Sequence, residues 1–190
     1  MKKIKKNNFY LIDGYALLYR SHFALIRNPL INTKGQHTSA LYGFTNTLLK
    51  LIKEDSPDYI VAVFDGKEKT FRHKMYPEYK ATREKMPDEL RSQLSILWDL
   101  VESFNIKSLL VNGFEADDII GTLAILGKKN NLNCKIISGD KDFMQLVDSN
   151  VKLHSPAKNG ATIIYGPDEV KKKWGVPPSQ IVDLLGLMGD

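Results

Sequence analysis

The chain of 190 residues has a single cysteine, Cys134. No disulfide can form within it, which fits a reducing cytosol. Cys134 stands beside the strand-like Lys135–Ser138 and reads as a structural residue. No apolar run is long enough to span a membrane. The basic start Met1-Lys2-Lys3-Ile4-Lys5-Lys6 leads into an apolar stretch broken by Asp13 and Arg20, with no small-residue cleavage site, so a secretory leader is not indicated. Internal repeats and low-complexity tracts are absent. So are a Walker loop, a Gly-x-Gly-x-x-Gly turn and a Gly-x-Ser-x-Gly elbow. The histidines His22, His37, His73 and His154 are scattered and make no ligand cluster.

What remains is a globular chain, 43% hydrophobic, long enough to bury a core. Its formal charge is +5 and its pI about 9.1. A basic chain with a conspicuous acidic cluster suggests acids that hold metal and bases that meet a polyanion.

That cluster is Asn112-Gly113-Phe114-Glu115-Ala116-Asp117-Asp118. It follows the apolar run Ile106–Val111 and precedes the apolar-periodic stretch Ile119–Leu126, an order that reads as strand, turn, helix. Such acids stand where open α/β sheets bind ligands, outside the carboxyl end of a strand. Like charges this close are tolerable around a hard cation such as Mg²⁺ or Mn²⁺. Helix N-terminus chemistry is the other explanation, since acids are favoured in a first turn.

Taken in order, Phe9–Ile12 reads as a buried strand ending at Asp13-Gly14. Tyr15–Leu25 has helical spacing, with Ala16, Leu17, Tyr19, Phe23 and Ala24 as core positions. A second helix opens at Thr38 or Ser39, its stripe formed by Leu41, Phe44, Leu48, Leu49 and Ile52. Tyr59–Phe64 is β-branched and aromatic on both faces, as suits a central strand, and it ends at Asp65-Gly66. A helix from Asp88 or Glu89 carries Leu90, Leu94, Leu97, Trp98, Val101 and Phe104. Strand Cys134–Ser138 ends at Gly139-Asp140-Lys141-Asp142. Val151–His154 and Thr162–Tyr165 form a hairpin at the sheet edge. Helices open at Gly166-Pro167-Asp168 and at Pro178-Ser179.

Lys67–Lys85 differs from everything around it. It is basic, has interleaved Phe and Tyr, and lacks apolar periodicity, so it reads as an exposed, partly helical loop. Its composition suits phosphate contacts and stacking on single-stranded bases. On a helix, Lys80 and Arg83 would share a face.

Four strand-like segments therefore end in carboxylate: Asp13, Asp65, Glu115 with Asp117 and Asp118, and Asp140 with Asp142. Strand–helix alternation implies a parallel sheet, whose carboxyl ends lie on one edge. A shared acidic pocket is expected there. It could bind two divalent ions about 4 Å apart, one activating water and one stabilising the leaving oxygen of a phosphodiester.

Leu11-Ile12-Asp13-Gly14, Thr70-Phe71-Arg72-His73, Tyr79-Lys80-Ala81-Thr82-Arg83, Gly113–Asp118 and Ser138-Gly139-Asp140-Lys141-Asp142 together resemble the 5′-nuclease domain of bacterial DNA polymerase I. That domain belongs to the flap-endonuclease group with its PIN/resolvase-like core. The resemblance runs essentially end to end, with the motifs in the right order. It implies an α/β fold, a mostly parallel sheet flanked by helices, with a basic helical-arch insertion at about 67–87. It implies a core over residues 1–165, and at 166–190 the start of a C-terminal helical DNA-binding region.

In the family, the carboxylates matching Asp13, Asp65, Glu115, Asp117, Asp118, Asp140 and Asp142 hold two metal ions, Mg²⁺ or Mn²⁺. Leu187–Asp190 match the opening of a Gly-Asp-x-x-Asp-Asn element, which makes Asp190 a further ligand. The second aspartate of that pair and the helix–three-turn–helix that grips duplex DNA would follow, so a fragment with weak activity is expected. Lys80 and Arg83 match arch residues near the scissile phosphate. Arg20, Arg72 and Tyr79 join them as expected DNA contacts.

The function implied is structure-specific hydrolysis at 5′ flaps, nicked DNA ends and RNA primer ends in replication and repair. The same resemblance implies a bacterial cytosolic, nucleoid-associated setting, no membrane, and a polymerase domain in the same natural chain. A PIN-type ribonuclease shares the acidic pocket but lacks the arch. A binding module with a dead site would keep the arch and hold DNA. A phospho-accepting receiver domain has an acidic pocket but neither the arch nor the extra acids.

Overall fold

The computed structural model describes residues 6–157 and 161–189. Six strands hydrogen-bond in the order β3-β2-β1-β4-β5-β6. They are β1 (Asn8–Asp13), β2 (Tyr59–Val63), β3 (Lys107–Leu109), β4 (Asn133–Ile137), β5 (Val151–Pro156) and β6 (Thr162–Tyr165). The helices flanking them are α1 (Gly14–Ala24), α2 (Ser39–Lys50), α3 (Phe71–Met75), α4 (Asp88–Arg91), α5 (Leu94–Ser103), α6 (Ala116–Lys129), α7 (Pro167–Trp174) and α8 (Ile181–Met188). The sheet is mostly parallel, as expected: β1 with β4, β2 with β3 and β4 with β5 run parallel, and the edge strand β6 runs antiparallel to β5. By compactness the chain divides into two units.

The first unit comprises the described residues of Met1–Asp13, Pro57–Ile60 and Ile120–Asp190. Here β1 pairs in parallel with β4, Leu11 opposite Ile136, and β4 pairs in parallel with β5. Leu11, Ile12, Ile136 and Leu153 are buried, which is why these strands read as unbroken apolar runs. Gly127 lets α6 approach closely, since a Cβ there would come within 2.5 Å of the Cys134 sulfur. The expected hairpin forms between β5 and β6, Leu153 opposite Tyr165; Lys158, Asn159 and Gly160 of its turn lie outside the described residues. Pro167 opens α7, Glu169 caps the Gly166 N–H at 2.9 Å, and Gly175 closes the helix at φ +77°. Among the described residues no helix is long and apolar enough to cross a membrane.

The second unit comprises Gly14–Ser56 and Val61–Ile119. Phe64, fully buried, is its centre, meeting Trp98 at 4.5 Å and Tyr15 at 5.3 Å between ring centroids. Gly14 lies so close beneath that ring that a Cβ would sit 2.1 Å from Phe64 Cε1. Gly14, which opens α1 where a turn was expected, is therefore a packing requirement.

Three details differ from the sequence pattern. The buried stripe of α1 is Leu17, Leu18, Ser21 and His22, whereas Phe23 is exposed and Tyr19 stacks on it at 6.3 Å. Ser21 is selected by space, because Gly43 of α2 packs on it and a Cβ there would lie 2.7 Å from Ser21 Cβ. The single helix expected from Asp88 to Phe104 is two, α4 and α5. Buried Gln93 between them takes a non-helical role, accepting from the Leu41 N–H at 3.2 Å and donating to Glu89 O at 2.8 Å. Strand Ile106–Val111 shortens to Lys107–Leu109, leaving Leu110 and Val111 exposed.

Candidate active site

In the first unit, β1 delivers Asp13 and β4 leads into Ser138-Gly139-Asp140. Buried Ser138 donates to Asp13 Oδ2 at 2.9 Å and its Oγ accepts the Asp140 N–H at 3.1 Å. Asp140 Oδ1 in turn accepts the Asp142 N–H at 2.8 Å, capping the short 3₁₀ helix Lys141–Leu146. Asp13 is buried, while Asp142 faces solvent. The sequence pattern pointed to Asp13, Asp140 and Asp142 but not to Ser138, whose hydroxyl braces the first two. A lone serine after an apolar strand carries no signal by itself.

In the second unit, Asp65 follows the end of β2 and accepts the Ala116 N–H, at the start of α6, at 2.8 Å. Burial raises the Tyr15 pKa, and the charge of nearby Asp65 raises it further. Gly113, at φ +84°, makes the turn that delivers Glu115. Glu115 is buried, yet three side chains of the 67–85 segment reach it. Tyr79 Oη donates at 3.1 Å, Lys80 Nζ at 3.0 Å, and Arg72 Nη1 stands 3.5 Å away. Arg72 makes its main contact with Asp118, through two hydrogen bonds of 2.7 and 2.8 Å. Asp117 is exposed.

These contacts set the electrostatics. The hydrogen bond from Arg72 pulls the Asp118 carboxyl below the ordinary carboxylate range, and the same bond raises the Arg72 guanidinium. Burial works against the Lys80 ammonium, but the hydrogen bond and charge of Glu115 prevail and its pKa is raised. Burial raises the Tyr79 phenol, with the Glu115 charge adding to it and Lys80 opposing.

The basic segment is partly helical, in α3, but not where Lys80 and Arg83 lie. Residues 76–83 are successive turns, closed by Tyr79 N–H to Tyr76 O, Ala81 N–H to Glu78 O and Arg83 N–H to Lys80 O. Lys80 itself sits at φ +57°, the left-handed region a helix excludes, so Lys80 and Arg83 share no helical face. The ion pair to Glu115 holds Lys80 there. Arg83 and Arg20 are exposed. Asp190 lies outside the described residues.

Among the described residues no three or more His, Cys, Asp or Glu side chains form a group able to hold a metal ion. Glu115 and Asp118 face the cations Lys80 and Arg72. The donor set is nonetheless all carboxylate oxygen, the chemistry that hard divalent cations select.

Comparison with known proteins decides the family. The 5′-3′ exonuclease, N-terminal resolvase-like domain, matches residues 8–175. The chain belongs to this family. It is 44% identical to DNA polymerase I of Bacillus caldotenax over 188 residues, which cover 97% of the chain and 21% of that protein. It is 41% identical to a 5′-3′ exonuclease of Aquifex aeolicus, covering 95% of the chain and 61% of the relative. The chain thus spans about a fifth of the length of the DNA polymerases it matches. In fold it is similar to T5 5′-exonuclease with bound divalent metal (zinc), with a TM-score of 0.75, 23% identity, and coverage of 97% of this chain and 67% of that one. The catalytic core of Rad2 in complex with DNA also matches, with a TM-score of 0.58, 19% identity, and coverage of 98% and 55%.

Proposed function

We propose that the chain is the nuclease part of a divalent-metal-dependent 5′-nuclease that hydrolyses phosphodiester bonds at 5′ ends and flaps of DNA, including RNA primer ends. The observation that carries this reading is the juxtaposition at Glu115. In a segment rich in Lys, Arg and aromatic residues, Tyr79 and Lys80 converge on a buried carboxylate in the family's own acidic motif. Membership of the 5′-3′ exonuclease family supports it, as does the exonuclease relative from Aquifex.

Asp13, Asp65, Glu115, Asp117, Asp140 and Asp142 are the candidate ligands, with Asp190 as a further one. Asp118, paired with Arg72 here, is a candidate ligand with them. The ions, Mg²⁺ or Mn²⁺ and two in number, would supply an activated water and neutralise charge on the phosphate. The protein's own share is positioning. Ser138 fixes Asp13, and the Ala116 N–H fixes Asp65. Lys80 and Arg83 supply positive charge to the phosphate as its negative charge grows. Tyr79 and Arg72 orient the strand, the one by stacking and the other by its forked donors. A polymerase domain in the same natural chain and a bacterial cytosolic setting belong to this reading, on the likeness to the DNA polymerase I relatives.

Incubation with a 5′-labelled flap DNA tests the reading. Cleavage is expected with Mg²⁺ and none with EDTA, and a form extended beyond Asp190 is expected to cut faster. Cleavage that survives EDTA would contradict it.

A further inference from the structure

His73 does two things with one ring. Its Nδ1 accepts the Thr70 backbone N–H at 3.2 Å and stands 2.9 Å from Thr70 Oγ1. A backbone N–H can only donate, so Nδ1 carries no proton there and the Thr70 hydroxyl donates to it as well. This is the reciprocal box that caps α3, with histidine three residues in, where Glu or Gln is usual. The same ring meets the Tyr79 ring edge-on, at 5.3 Å between centroids and 85° between planes. Glutamine would supply the acceptor without the ring, and phenylalanine the ring without the acceptor.

Tyr79 needs such a contact. Residues 76–83 are turns, so no helical ladder fixes the direction of its side chain. Its hydroxyl donates to Glu115 Oε2 at 3.1 Å, and its ring lies 5.2 Å from Lys80 Nζ. Lys80 Nζ donates to Glu115 Oε1 at 3.0 Å. A run of contacts thus leads from buried Thr70 through His73 and Tyr79 to Lys80 and Glu115. Its two ends are fixed to one piece of backbone, because the Phe71 N–H donates at 3.1 Å to the carbonyl of Gly113, in the turn that delivers Glu115.

We propose that His73 is a positioning residue: its ring holds Tyr79 against Glu115, and through Tyr79 it keeps Lys80 beside the acidic cluster, where the 5′-nuclease reading, on which the assignment rests, puts the DNA phosphate. An edge-to-face ring pair shifts the held population by about two- to tenfold.

Lys80 reports on this without metal, DNA or cleavage. Burial opposes its ammonium, but the hydrogen bond and charge of Glu115 prevail and raise its pKa. A held Lys80 therefore reacts slowly with an acylating reagent and a released one faster. Pulse acetylation with acetic anhydride at about pH 8, where only the neutral amine fraction reacts, is read by peptide mass spectrometry, with exposed Lys34 as the internal standard. His73→Gln, which keeps the cap, should raise Lys80 labelling about two- to tenfold, while His73→Phe, which keeps the ring, should stay within about 1.5-fold of the wild type. Tyr79→Leu should release Lys80 as His73→Gln does, and the double variant no further, since members of one unit are non-additive. The rate of 5′-flap cleavage at saturating enzyme with Mg²⁺ should fall in His73→Gln and hold in His73→Phe. A merely structural His73 would act through the cap, so His73→Phe would release Lys80 and His73→Gln would not. That pattern, unchanged labelling in His73→Gln, additive labelling in the double variant, or cleavage that ignores the release of Lys80 would overturn the assignment. A wild type that never cuts flap DNA, with the labelling as expected, overturns the nuclease reading and leaves the linkage from His73 to Lys80 standing.

Discussion

Lys80 reaches Glu115 from a backbone in the left-handed region, at φ +57°, with its Nζ 3.0 Å from Oε1. A β-carbon in that region costs about 1–2 kcal/mol relative to ordinary backbone, so the ion pair and the turn around it must hold the residue there. If Lys80 supplies charge to the reacting phosphate, Lys80→Ala slows single-turnover cleavage by about 2–4 kcal/mol of barrier and leaves flap affinity little changed. The measurement is the rate at saturating enzyme, set beside affinity as a function of salt. An unchanged rate with only a salt-dependent fall in affinity would make Lys80 an ordinary backbone contact.

Gly14 tests the seat of the second unit. An added Cβ would meet Phe64 at 2.1 Å, and that ring is bracketed by Tyr15 and Trp98, so it has little room to swing. Gly14→Ala is expected to cost at least about 1–3 kcal/mol, the usual penalty of overpacking. Urea unfolding of the variant measures it, and an unchanged midpoint would show that Phe64 can move aside.

Ser138→Ala removes the hydroxyl that donates to buried Asp13 and accepts from the Asp140 N–H. Losing a hydrogen bond to a charged carboxylate costs about 1.5–3 kcal/mol. The expected outcome is a lower melting temperature together with weaker divalent-ion binding than in the wild type, read by calorimetric titration. Ser138→Thr, which keeps the hydroxyl, should retain more of the binding than Ser138→Ala.

The pH dependence of stability should carry a contribution from Asp148. Burial alone would raise its pKa, but the Lys128 ion pair and the N–H groups of Asn150 and Val151, at 2.7 and 2.9 Å, outweigh it and hold the pKa down. A depressed carboxylate stabilises the fold fully above its unfolded value, near 3.8, and loses that contribution as pH falls through the lower folded value. Asp148→Asn should therefore be less stable than the wild type at pH 7, with the difference shrinking below pH 4. Thermal melts at both pH values measure it, and a gap that grows toward acid would contradict the argument.

Much of this was legible because strand ends announce themselves. Apolar runs stopping at Asp13, Asp65 and Asp140 mark the strands, and β1, β2 and β4 lie within a residue or so of where the runs placed them. The α1 stripe misled because Gly43 leaves room for Ser21 but not for a larger side chain, and no periodicity encodes a neighbour's missing Cβ. The turns at 76–83 were hidden for a similar reason. Tyr79 and Lys80 are drawn to a buried carboxylate 35 residues or more away in sequence, and that pull outweighs local helical preference. Gln93 looked like an ordinary helical residue until its side chain was seen to serve the Leu41 N–H across the fold.

The central claim is tested most directly by offering the chain two substrates side by side, a 5′-flap DNA and a single-stranded RNA of equal length. Each is incubated first with EDTA and then with Mg²⁺ in excess. The account expects silence in EDTA, then cleavage of the flap near its junction once Mg²⁺ is restored, with the RNA largely intact. Efficient cutting of the RNA with the flap untouched would contradict it and favour a PIN-type ribonuclease.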